Sequence, residues 1–76
     1  MDTYTAVKNR ILMLLEEKRL SIHRLSILST VSASSIKNIL YGSSKNPGVT
    51  TLKLLCDGFG IKLVDFFNDV SFDNLE

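Results

Sequence analysis

Two short helical patterns, set almost end to end and each opened by a serine, constrain this chain more than any other feature. Ser21 stands before Ile22, Leu25 and Leu28, and Ser32 stands before Ile36, Ile39 and Leu40. Only Thr30 and Val31 remain to connect the two runs. A serine hydroxyl accepts from a free backbone N–H in the first turn and so fixes where a helix begins. Apolar residues three and four apart mark the side that turns inward. The pattern therefore predicts a helix that ends near Ser29, a tight connection over Thr30–Val31, and a further helix from Ser32 that stops at Gly42. Helices of about eight residues do not persist alone, so the pair must rest on a larger body. With Ile36 and Ile39 inward, the second helix of the pair turns Ala33, Ser34, Lys37 and Asn38 outward.

The flanking segments supply that body. Val7, Ile11, Leu14 and Leu15 recur at helical spacing and predict a first helix from about Thr5 to Arg19. Ser43–Gly48 reads as a loop with Asn46-Pro47-Gly48 as its turn. Leu52, Leu55, Cys56 and Phe59 mark a fourth helix ending at Gly60, and Leu63, Phe66 and Phe67 a short fifth. No segment alternates as a strand does, so the expected class is all-α. Seventy-six residues support one core. The expectation is a single domain over 1–76, with its core at about 5–67. The tail, 68–76, would pack on that core or against a dimer partner.

Charge is small in sum, +1, but uneven along the chain. Residues 1–56 carry eight cations against three carboxylates, while residues 57–76 carry Lys62 against five. No carboxylate occurs between Lys18 and Lys53. Such a distribution suits a cationic face on a polyanion with an acidic segment held away from it. Other classes find little support. There is no nucleophile–histidine–carboxylate set, no metal-ligand spacing and no Gly-rich phosphate loop, so neither an enzyme nor a cofactor is expected. The one cysteine, Cys56, reads as a small buried hydrophobe, and His23 as a solvent-facing helix residue. The longest early apolar run, Ile11–Leu15, is far short of a membrane span, and no secretory leader is evident. A reducing cytoplasm fits best.

The run Leu25-Ser26-Ile27-Leu28-Ser29-Thr30-Val31-Ser32-Ala33-Ser34-Ser35-Ile36-Lys37-Asn38-Ile39-Leu40-Tyr41-Gly42 resembles the motif helices of the Cro/cI-type helix-turn-helix family of bacterial and phage regulators. Asn46-Pro47, Thr51-Leu52, Phe59-Gly60-Ile61, Leu63 and Phe66-Phe67 fall where that family's later helices have their landmarks. The resemblance implies a compact five-helix, lambda-repressor-like DNA-binding domain with the helix-turn-helix at helices two and three. It places Ala33, Ser34 and Asn38 at base-reading positions, and Lys37 where it reads bases or touches phosphate. Asn bonds bidentately to adenine, Ala meets a thymine methyl, and Lys reaches guanine or phosphate. Ser32, Ser43, Ser44, Lys45 and Asn46 would hold the DNA backbone and fix register.

Four positions depart from the family pattern. Ile22 stands where a phosphate-contacting Gln is usual, and Ser26 replaces a small Ala where the helices cross. Thr30 replaces the common turn Gly, at a cost of about 1–2 kcal/mol if its φ is positive. Gly58 lies inside the fourth helix, at a cost of about 1 kcal/mol relative to Ala. The resemblance implies a sequence-specific double-stranded DNA-binding regulator, a repressor working as a homodimer on a near-palindromic site. No small-molecule ligand and no membrane are expected. The alternative is a protein-interaction module on the same fold, such as the antitoxin half of a toxin–antitoxin pair. The absent Gln, the low net charge and the apolar residues Val64, Val70, Phe72 and Leu75 suit that second reading.

Overall fold

Asp2 opens the first helix, its Oδ1 accepting from the Thr5 N–H at 2.8 Å. This carboxylate cap starts α1 at Thr3 and runs it to Glu17, two residues earlier at each end than the apolar spacing predicts. The same hydrogen bond holds the Asp2 carboxyl below its ordinary pKa. At the other end no Gly or Pro marks the stop. Arg19 instead takes a left-handed conformation (φ 55°), and Leu20 N–H donates to the Leu15 carbonyl five residues back. The computed structural model describes residues 1–76. It contains α2 (Ile22–Ser29), α3 (Ala33–Tyr41), α4 (Val49–Phe59) and α5 (Leu63–Phe67), then a single 3₁₀ turn over Val70–Phe72. No strand is present, and the class is all-α as expected.

The core gathers one side of every helix. Ile11, Leu14, Leu25, Ile36, Leu40, Leu55 and Phe66 are wholly or almost wholly buried; burial of each such side chain stabilises by about 1.5–3 kcal/mol. Cys56 lies among them, and burial pushes its thiol pKa up. The inner side of α2 differs from the sequence reading. Ile22 packs on the core and Leu25 and Ser29 are buried, but Leu28 is exposed. A helix turns about 100° per residue, so Ser29 sits about 40° round from Leu25 towards Ile22, whereas Leu28 lies about 60° round on the other side.

The buried serine explains Gly58. The α2–α4 contact is the most extensive between helices, and a Cβ on Gly58 would lie 2.9 Å from Ser29 Cβ and 3.0 Å from Ser29 N. Gly58 thus lets two backbones approach, and its weak helix propensity is the consequence. Ser26, by contrast, is half-buried and satisfies its hydroxyl locally, donating to the His23 carbonyl at 2.6 Å. Thr30, at the end of α2, has φ 63°, the left-handed conformation that makes Gly usual here. Ser29 Oγ then accepts from Val31 N–H at 3.2 Å, and Val31 is buried. These contacts hold the tight connection between α2 and α3.

The C-terminal residues fold back. The 3₁₀ turn packs on α1, and Phe72 meets Phe67 edge-on at 5.1 Å between ring centroids. Arg10 of α1 donates from Nε to the Phe66 carbonyl (2.8 Å) and from Nη2 to the Asp65 carbonyl (2.9 Å), capping the C-terminal end of α5.

Two substitutions measure these features. Gly58→Ala should destabilise by about 1 kcal/mol, because overpacking of 1–3 kcal/mol outweighs about 1 kcal/mol of helix propensity. Urea unfolding would show a lower midpoint at unchanged slope, and an unchanged midpoint would contradict the close crossing. Thr30→Asn, which tolerates positive φ, should stabilise by about 0.5–1 kcal/mol and raise Tm by several degrees in a thermal melt.

Candidate nucleic-acid interface

The outward side of α3 is built by its cap and its inner residues together. Ser32 Oγ accepts from Ser35 N–H at 3.1 Å and donates to Ser35 Oγ at 2.9 Å. Ile36, Ile39 and Leu40 are buried. Ser34, Ser35, Lys37, Asn38 and Tyr41 are therefore left exposed, and Ala33 is half-buried at the first turn rather than fully outward. Ser32 is exposed, but its hydroxyl already serves as both donor and acceptor inside the helix end.

The C-terminal end of α3 is tied into the loop that follows. The Asn38 carbonyl accepts from Gly42 N–H at 3.1 Å and from Ser44 N–H at 3.2 Å. Gly42 ends the helix with φ −108°, not in the left-handed conformation usual for a helix-ending glycine. It is glycine for want of space: a Cβ would lie 2.9 Å from both Asn38 Cα and Asn38 Oδ1. The loop then passes close to α3 and leaves a polar groove of about 220 Å³. Ser35, Asn38, Ser44, Asn46 and Thr51 supply its polar lining. The groove reaches the start of α4, where Gly48 provides no side-chain cap for the first-turn N–H groups. Such groups suit an anion.

The fold sorts the cations more sharply than the sequence does. Arg10 is engaged by the end of α5, and Lys53 pairs with Asp57 one turn on. Neither belongs on a free cationic face. Arg24, Lys37 and Lys45 are exposed and have no carboxylate partner. Lys45 Nζ lies 5.7 Å from the centre of the Tyr4 ring.

Asn38, Ser44 and Asn46 thus share one groove, Ser34 and Lys37 share the adjoining outward face, and Ser43 and Lys45 are exposed on the loop. Three residues at the same surface are absent from the sequence-derived set. Tyr41, 67% exposed, extends the face one turn beyond Lys37, a spacing legible in the sequence. Ser35 adjoins Ser34 and borders the groove. Thr51 arrives only through the path of the loop, which no local pattern announces. Ile22 is half-buried against the core, so the residue in place of the usual Gln has a packing role.

No group of three His, Cys, Asp or Glu side chains gathers as a metal site, and no helix is long and apolar enough to cross a membrane. Neither the curated proteins nor the solved structures contain a match to the chain. A family model, described as the Cro/C1-type HTH DNA-binding domain, matches residues 10–71, a span that takes in α2, α3, the groove and the folded-back tail as far as the 3₁₀ turn. On that match and this geometry, the chain belongs to the Cro/C1-type helix-turn-helix DNA-binding domain family.

Proposed function

We propose that this domain is a sequence-specific transcriptional regulator, a repressor that binds a near-palindromic double-stranded site as a homodimer. The observation that carries the reading is the exposed, carboxylate-free side of α3 beside a polar groove. Set in the major groove, α3 would present Ala33, Ser34, Lys37 and Asn38 to base edges. Ser32, Ser43, Ser44, Lys45 and Asn46 would hold phosphates on either side and fix register. For Ser32 this requires the hydroxyl to exchange its bond to Ser35 for one to phosphate.

A homodimer on such a site sets its two recognition helices about 34 Å apart, one turn of DNA. Val64, at 69% exposure, and Phe67, at 40%, lie one turn apart on α5 and offer apolar surface for the partner copy. The same exposed residues favour a second reading, in which the fold binds another protein as an antitoxin-type module.

Titration against a pool of random duplexes at several salt concentrations separates the two. A regulator should enrich a two-fold symmetric sequence and lose affinity steeply, as a power of salt concentration, through counterion release. No binding at low salt, with a second protein co-purifying, would favour the interaction module. On the enriched duplex, Asn38→Ala should cost about 1–3 kcal/mol at one base pair and relax preference there. An equal loss on every sequence would move Asn38 to the backbone-holding set.

A further inference from the structure

We propose that Tyr4, in the first turn of α1, is a positioning residue for the C-terminal half of α3, which carries Asn38, and for the loop that follows it. The proposal rests on the reading of α3 as a recognition helix. Helices leave their last carbonyls without an internal partner, and α3 is only nine residues long. Of those carbonyls, Asn38 O accepts from Gly42 and Ser44. Ile39 O, the next in line, accepts from the Tyr4 hydroxyl at 2.7 Å, across 35 positions of sequence.

Tyr4 is therefore a C-terminal cap for α3 supplied by another helix. Its own place is fixed by the Asp2 cap at the start of α1 and by its half-buried ring. The ring face lies under the Lys45 ammonium at 5.7 Å, within the range of cation–π attraction. One side chain thus touches the helix end that carries Asn38 and the loop residue Lys45. Between them runs the bond from Ser44 to the Asn38 carbonyl. The base-reading face and the phosphate-holding loop are set relative to one another from α1, an element outside the motif.

Tyr4→Phe tests this with little disturbance, since it keeps the ring and removes the hydroxyl alone. In the free protein, amide hydrogen exchange at Gly42 and Ser44 should accelerate about fivefold, the worth of one ordinary hydrogen bond, while Leu14 and Leu55 amides stay unchanged. Unaltered exchange at Gly42 and Ser44 would overturn the positional claim whether or not the protein binds DNA. On the enriched duplex, Tyr4→Phe should weaken binding about fivefold, and much less in an Asn38→Ala background, because the two residues act through the same helix end. An equal loss in both backgrounds would reduce Tyr4 to general stability and sink the proposal. If the unaltered chain binds no duplex, the regulator reading fails, and the exchange result alone decides whether Tyr4 positions α3.

Discussion

The close crossing of α2 on α4 at Ser29 and Gly58 is the contact on which the rest of the structure depends. Gly58 has no Cβ, so α2 can settle until Leu25 is wholly buried and Ser29 nearly so. With α2 seated, Ser29 Oγ takes the Val31 N–H, Val31 enters the core, and Ser32 is delivered to cap α3. Each step fixes the direction of the next. A glycine that reads as a flaw in a helix is what allows the neighbouring motif to stand at its angle.

The sequence carries the helices, the caps and the motif well, because these depend on neighbours within a turn. Ser21 and Ser32 cap as their positions foretell, and the inner residues of α3 are buried. Failures arise where a distant element decides, or where a helix stops in a way its residue type does not announce. Leu28 looks internal by spacing, but the direction of α4 makes Ser29 the inner residue. Gly42 looks like a left-handed stop, but the proximity of Asn38 is the reason for it. The end of α1 at Glu17 was masked because an arginine takes the left-handed position that glycine usually fills. At the candidate interface, Ser34, Lys37 and Asn38 follow from helical geometry. Thr51 joins them only through the three-dimensional path of the loop.

Charge shows the same division between local and distant information. A tally of residues 1–56 credits the chain with a broad cationic surplus. Folding uses Arg10 on α5 carbonyls and pairs Lys53 with Asp57, which removes two of the eight cations and leaves Arg24, Lys37 and Lys45 on α2, α3 and the loop, with Lys8, Lys18 and Arg19 on and just after α1. An exposed ion pair such as Lys53–Asp57 adds little stability, whereas the Arg10 fork is a tertiary clasp. The uneven charge of the sequence is thus partly architectural.

That clasp has a consequence for how the chain folds. Arg10 reaches carbonyls 55 and 56 positions away, so it closes residues 10–66 into one loop that contains α2, α3 and α4. Closing a long loop costs entropy before any contact repays it. The α2–α3–α4 unit, joined by short connections, can assemble first, with the union of α1 and the C-terminal segment following. Read in reverse, parting α1 from α5 and the 3₁₀ turn releases the longest loop in the chain, but it also bares Phe66, which shares one core with Leu25, Ile36 and Leu40 of the motif.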